Sequence, residues 1–189
     1  MGELQEQKKQ LRKRIKARAA ALSPEYRAAA DRLIRDEVRG SEAWKCAEAV
    51  FLYVSMWAEP DTRALLEAAF AEGKTVYVPR CYPGRIMKAV RIDSLAALQP
   101  RTLGIPEPVD DSVTAAPGEL DLAIVPCLCA SCDGRRLGHG AGYYDRFLAA
   151  QKCPTMCICY AELLEDMIPI EAFDIRMDAV VTEDGIYIS

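Results

Sequence analysis

Apolar and polar positions follow two different periods along this chain, and the changes of period divide it into elements. From Lys8 to Arg18, KKQLRKRIKAR, the large apolar side chains are Leu11 and Ile15, four apart, which predicts a helix with one thin apolar stripe and solvated charge elsewhere. Ser23-Pro24-Glu25 then supplies an N-cap residue, an N1 proline and an early acid, so a second helix opens there, and Gly40 closes it. Short apolar runs follow. Ala49 to Val54 reads as a strand, Asp61 caps a helix through about Ala71 that Gly73 ends, and Thr75 to Val78 is a strand stopped by Pro79.

Between Cys81 and Leu120 the pattern is loop-rich, with a short strand around Met87 to Ile92 and turn residues at Gly104, Pro106, Pro108, Pro117 and Gly118. Leu122 to Val125 resumes as a buried strand and Gly142 to Ala150 as a helix. Thr155 to Tyr160 is a further strand, and Ala179 to Thr182 a last one before a Glu-Asp-Gly turn. Strands alternating with helices predict an α/β fold: a single domain over residues 1–189, a mainly parallel sheet with helices on both faces, and two N-terminal helices. Ligands collect at the carboxyl ends of such strands, where Ser55 to Thr62, Pro79 to Gly84 and Pro126 to Asp145 would gather.

With 189 residues and 51% hydrophobic composition, one core can form without covalent staples. The eight cysteines are therefore expected as reduced thiols, and the absence of an apolar leader or a long apolar run makes the cytoplasm the expected compartment. Charge is uneven: seven basic residues stand against two acidic ones up to Arg18, which leaves the rest of the chain at about −9. The basic stretch is either an ordinary charged helix face or a device for gathering phosphate. An overall pI of 5.2 argues against nucleic acid as a partner, and no membrane contact is expected.

The segment RRLGHGAGYYDRF, Arg135 to Phe147, carries most of the candidate chemistry. Glycine at 138, 140 and 142 permits positive φ and lets backbone N–H groups approach an anion just before a helix. Arg135 and Arg136 at the entrance and Arg146 in the helix add charge suited to a polyphosphate, and Asp145 could hold magnesium beside it. The loop lacks the Gly-Lys-Ser/Thr ending of a Walker A loop and is one residue short of GxGxxG, and helix–strand packing alone would also use such glycines. Tyr143 and Tyr144 point about 100° apart on a helix, so one is expected to pack and the other to line a pocket. His139 is the only histidine, which makes a histidine-based triad improbable. Cys127, Cys129, Cys132, Cys157 and Cys159 are read as small core hydrophobes, a thiolate metal site being the alternative.

LGHGAGYYDRF resembles the LGxGxGYYD signature of the 5-formyltetrahydrofolate cyclo-ligase family, and KKQLR, FLYVSMWAEPDT, GKTVYVPR, MKAVRI, LGIPEP, DLAIVP and FDIRMDAVVTEDG are similar to family blocks in order and spacing. The resemblance implies an α/β fold and an ATP- and Mg2+-dependent closure of 5-formyltetrahydrofolate to 5,10-methenyltetrahydrofolate, with release of ADP and phosphate. It implies that Lys8 and Arg12 face the phosphates and that Arg136, Leu137, Gly138, His139, Gly140, Ala141, Gly142, Tyr143 and Tyr144 form the nucleotide loop. Asp145 and Asp174 would serve the metal, and Val54, Met56, Glu59 and Tyr143 the reduced folate, with Arg136, Tyr144 and Asp145 carrying the chemistry. Glu59 could accept paired hydrogen bonds from the amino-pyrimidine end of a pterin, helix-start electrostatics near Asp61 being the alternative, and Trp57 could stack on the pterin or simply wall the pocket. Ala141, where the family has glycine or lysine, and the cysteine-rich PCLCASCDG depart from the pattern. A silent folate- or nucleotide-binding relative and a sugar-phosphate isomerase are the competing readings. A monomer is expected, with a dimer left open.

Overall fold

The computed structural model describes residues 2–56, 58–101 and 104–189; Trp57 lies outside them. Helix α1, Glu3–Ala21, has Glu3 and Glu6 in its first turn and Arg18 in its last, charges that complement the helix dipole. It buries one stripe, Lys8, Leu11, Ile15 and Ala19, at the predicted helical spacing. In α2, Pro24–Gly40, the Ser23 hydroxyl accepts from the Tyr26 N–H at 3.1 Å, and Ala30, Ile34 and Val38 form the buried face. Ser41 ends α2 and caps a short α3, Glu42–Cys46, which the sequence pattern does not announce.

The chain then builds β1, Ala49–Leu52; α4, Arg63–Ala71; β2, Thr75–Tyr82; β3, Ile86–Ile92; and the small hairpin of β4, Leu98–Pro100, with β5, Pro106–Pro108. It continues through β6, Leu122–Val125; β7, Cys129–Ala130; β8, Arg136–Leu137; α5, Tyr143–Leu148; β9, Thr155–Ile158; β10, Ala179–Thr182; and β11, Gly185–Ile188. Seven strands make the main sheet in the order β11-β10-β9-β6-β1-β2-β3. The inner five run parallel, and the edge strands β3 and β11 are antiparallel to their neighbours. Strands β1, β6, β9 and β10 are buried at every residue, as strands covered on both faces must be. The buried apolar side chains form one continuous core.

Three expectations about the elements need correction. Strand β2 does not stop at Pro79 but runs on to Tyr82, pairing with β3 from Val76↔Ile92 to Tyr82↔Ile86. Its pairing with β1 ends at Tyr77, so Pro79 falls where one side of the strand is already unpaired and the lost N–H interrupts no second ladder. Ala179 to Thr182 is not the last strand, because the turn after it returns the chain as β11. Helix α4 takes Thr62 rather than Asp61 as its N-cap residue, yet Asp61 Oδ1 still accepts from the Arg63 N–H at 3.1 Å and satisfies one free donor of the first turn.

The chain leaves β1 toward β2 on one side and later returns to place β6 on the other, so connections diverge above the carboxyl ends of β1 and β6. A doubly wound sheet offers its ligand crevice at such a point. The segment after β6 is held by a tight turn at Gly134, whose φ is +84° and where an added Cβ would lie 2.3 Å from the Met177 carbonyl oxygen. Gly134→Ala should therefore destabilise the fold by about 2–5 kcal/mol, combining positive-φ strain with a backbone clash. Gly118→Ala, with φ +82° but open space, should cost only about 1 kcal/mol. Urea unfolding of the two variants measures the difference, and equal midpoints would contradict the close packing at Gly134.

Candidate active site

A cavity of about 1030 Å³ opens above the carboxyl ends of β1, β2 and β6 and is bounded by α1 and by residues 171–175. On its loop side, β8 pairs with β7 through Cys129↔Leu137 and Ala130↔Arg136, which fixes the entry into the glycine-rich segment. Gly140 and Gly142 adopt φ of +99° and +72°, whereas Gly138 does not adopt positive φ. Arg12 of α1 explains the need for glycine at 140. Its Nε donates to the Gly138 carbonyl at 2.9 Å, and an added Cβ at residue 140 would stand 3.1 Å from its Cζ.

Arg136 is buried, and its Nη2 lies 2.7 Å from Asp145 Oδ1. The same Asp145 oxygen accepts from the Ile175 N–H at 3.3 Å. Next to it, Asp174 Oδ2 accepts from Lys8 Nζ at 2.5 Å and from the Glu171 N–H at 2.7 Å. Lys8 also reaches Glu171 Oε2 at 2.9 Å, and that hydrogen bond, with one from Gln5, holds the Glu171 carboxyl below the usual range. Arg146 lines the same cavity. Arg135 does not: its Nε pairs with Asp133 Oδ2 at 3.0 Å, because neighbouring side chains on an extended strand point to opposite sides and Arg136 takes the inward one.

The opposite wall comes from the segment after β1. Val54, Met56 and Glu59 line it; Glu59 Oε2 accepts from the Met56 N–H at 2.8 Å and Oε1 lies 3.2 Å from His139 Nε2. A carboxylate only accepts, so His139 donates through Nε2 and joins the loop to this wall. Tyr143 and Tyr144 both border the cavity and both pack on the core, so they do not divide those tasks between them. Tyr144 stands edge-on to Phe51 at 6.5 Å between ring centroids, and burial raises its phenol pKa well above the ordinary value.

Apart from Arg135, which turns away, and Trp57, which lies outside the described residues, the ligand-site residues expected from the sequence border this one cavity: Lys8, Arg12, residues 136–145 and Asp174 on one side, Val54, Met56 and Glu59 on the other. Gln5, Cys81, Arg85, Glu107 and Phe173 also line it and were missed. Cys81 follows from the continuation of β2 past Pro79, and Glu107 sits inside the LGIPEP block, where a lone acid between two prolines was the available signal. Among the described residues, no group of three or more His, Cys, Asp or Glu is placed to hold a metal. Cys127 lies beside Cys157 and Cys159 in the buried core with Cys129 near them, while Cys132 is exposed, and all of them are free thiols. Asp145 and Asp174 still suit magnesium, which is commonly held by one or two carboxylates with phosphate oxygens and water completing the shell.

The family model described as the 5-formyltetrahydrofolate cyclo-ligase family matches residues 4–183. The mouse 5-formyltetrahydrofolate cyclo-ligase is 30% identical over 193 residues, covering 94% of each chain. The Escherichia coli K12 5-formyltetrahydrofolate cyclo-ligase is 31% identical over 180 residues, covering 92% of this chain and 98% of the relative. Among solved structures, the Aquifex aeolicus 5,10-methenyltetrahydrofolate synthetase superposes with a TM-score of 0.83 at 28% identity, covering 96% of this chain and 92% of that one.

The cavity environment makes a chemical prediction for Cys81, whose thiol is pushed up to about 11 by burial and by the neighbouring Glu107 carboxylate. At pH 8 its thiolate fraction is then on the order of 0.1%. Alkylation of Cys81 by iodoacetamide, followed by peptide mass spectrometry, should still rise about tenfold between pH 9 and pH 10, where an ordinary thiol levels off. A plateau reached by pH 9 would contradict the assigned surroundings.

Proposed function

From the premise that this chain belongs to the 5-formyltetrahydrofolate cyclo-ligase family, we propose that its cavity binds ATP on the α1 and loop side and a reduced folate on the β1 side. The protein is a ligase that converts 5-formyltetrahydrofolate to 5,10-methenyltetrahydrofolate. One observation carries the division of the site: the cationic loop side and the Val54, Met56 and Glu59 wall face each other across one space. At about 1030 Å³ that space lies at the top of the range for small-molecule sites, as two ligands require.

The chemistry follows from the poor leaving ability of a formyl oxygen. Attack of that oxygen on the γ-phosphorus, with ADP departing, turns it into a phosphate ester; N10 then attacks the formyl carbon, phosphate leaves with the oxygen, and the N10 proton is lost. The residues of this chain position and neutralise, and no protein nucleophile enters. Lys8, Arg12 and Arg136 bring positive charge to the phosphates, and the N–H groups around Gly140 and Gly142 accommodate them without side-chain obstruction. Arg136, held by Asp145, would offer its guanidinium to the transferring group without first having to be ordered. Asp145 and Asp174 would hold Mg2+, which would supply neutralisation of phosphate charge. Val54, Met56, Glu59, Tyr143 and Tyr144 enclose the folate. We assign the protein to the cytoplasm, as a monomer, because all eight cysteines are free thiols and the core closes within one chain.

Methenyl-folate absorbance should grow only when ATP, Mg2+ and 5-formyltetrahydrofolate are all present, with one ADP formed per turnover. Chelation of the metal should arrest the reaction and added Mg2+ restore it. Arg136→Ala and Asp145→Ala should each lower kcat/KM by roughly 10²–10³-fold while circular dichroism stays that of the parent. A flat trace from folded protein, without ADP, would refute the assignment.

A further inference from the structure

Three consecutive residues of the wall after β1 have their backbone held by side chains from three different parts of the fold. The Tyr160 hydroxyl, two residues beyond β9, reaches the Glu59 carbonyl at 3.4 Å. The Tyr53 hydroxyl, directly after β1, donates to the Pro60 carbonyl at 3.0 Å. The Asp61 N–H donates to Asp31 Oδ1 of α2 at 3.0 Å. Tyr53 borders the cavity, whereas Asp31 and Tyr160 stand outside it.

The two remote residues act as one unit. Tyr160 is buried, and its hydroxyl donates to the same Asp31 oxygen at 2.8 Å. A phenol has one proton, so the shorter bond to Asp31 aims the hydroxyl and the Glu59 carbonyl takes the weaker share. Arg27, one turn earlier on α2, stands over the Tyr160 ring at 5.4 Å, so α2 holds the ring as well as its hydroxyl. Both hydrogen bonds that the Asp31 side chain accepts therefore end on the wall or on the residue that touches it.

The wall needs such anchors. Its turn closes locally, Glu59 N–H to Met56 carbonyl at 3.0 Å and Met56 N–H to Glu59 Oε2 at 2.8 Å. A turn closed on itself keeps its shape but takes its place from outside contacts. Resting on the proposed folate side of the cavity, we propose that Asp31 is a positioning residue for the reaction. From outside the cavity, together with the Tyr160 hydroxyl, it holds residues 59–61 so that Glu59 already faces the nucleotide loop when the folate arrives. No ordering of the wall is then required on binding. Without the anchor only a fraction of molecules would hold the wall in place; apparent affinity would fall by that fraction, while the filled enzyme would turn over as before. The competing reading is structural: the same hydrogen bonds tie α2 to the sheet and add stability alone.

Wild type, Asp31→Ala, Asp31→Asn, Tyr160→Phe and the Asp31→Ala/Tyr160→Phe double variant should be compared by steady-state kinetics, urea unfolding and amide hydrogen exchange. Asp31→Ala should raise KM for 5-formyltetrahydrofolate by roughly tenfold, with kcat and KM for ATP within about twofold. Asparagine keeps an acceptor oxygen for both donors, so Asp31→Asn should hold KM for the folate within about threefold of wild type. Tyr160→Phe, which removes a single oxygen, should raise the same KM by roughly threefold. The double variant should match Asp31→Ala within about twofold, because both changes break one connection. The Asp61 amide should exchange faster in Asp31→Ala than in wild type or Asp31→Asn. Should Asp31→Ala fail to fold, the KM split in Tyr160→Phe carries the test. A lower unfolding midpoint with an unchanged KM for the folate, or an equal rise in both KM values, overturns the inference while wild-type cyclisation stands. A wild type that neither binds nor cyclises the folate overturns it together with the function it rests on.

Discussion

Lys8 is 5% exposed, and the way its charge is met organises the site around it. A buried ammonium is tolerated only where carboxylates and hydrogen bonds replace its hydration, and here Glu171 and Asp174 both converge on it. That convergence fixes residues 171–175 against α1. The Ile175 N–H is thereby set on Asp145, Asp145 on Arg136, and Arg136 on the entrance of the glycine-rich loop. A second contact of the same helix, Arg12 to the Gly138 carbonyl, holds the loop from its other side. The exposed Arg14, by contrast, pairs with Glu165 in a geometry that contributes little to stability.

The sheet supplies the frame on which this network hangs. Parallel pairing sets Val50 beside both Val76 and Leu122, so β1 and β6 end level with each other, β2 runs on beside them, and the segments that follow emerge on one side. Full burial of β1 and β6 makes their register strongly specified, since a slip of one residue would exchange the contents of both covered faces. Rigid strand ends thus carry the irregular segments that meet ligands. Glu59 is positioned by its own backbone turn, Glu59 N–H to Met56 carbonyl at 3.0 Å, and by Thr62, whose hydroxyl donates to the Tyr53 carbonyl at 2.7 Å.

What the sequence made legible follows from which physical signals are local. Continuous apolar runs such as Leu122 to Val125, the Ser23-Pro24 helix start and the spaced glycines of the loop all report their own backbone requirements. The misread places are those decided by partners distant in the chain. Pro79 looks like a strand end until β3 is laid beside it; the residues after Asp184 become a strand only through pairing with β10. Arg135 and Arg136 are indistinguishable by charge, and only the pairing of β8 with β7 decides which one faces the cavity. Glu107 showed itself only as a lone acid between two prolines, because nothing in LGIPEP reveals that its carboxylate will be buried against β2.

The two departures from the family pattern fall where they disturb this arrangement least. Ala141 is exposed between Gly140 and Gly142, and the loop path is set by the positive φ of those neighbours and by Arg12, none of which depends on the side chain at 141. The cysteines of PCLCASCDG that are buried act by volume: Cys127 and Cys129 pack in the core behind Pro126, which itself borders the cavity, and burial lifts the Cys129 thiol to about 12, keeping it neutral. A small apolar side chain at those positions fills the same space. Charge, in contrast, is indispensable to the contacts at Lys8, Arg12, Arg136, Asp145 and Asp174, where the network from α1 to the loop would lose a link with any one of them neutralised.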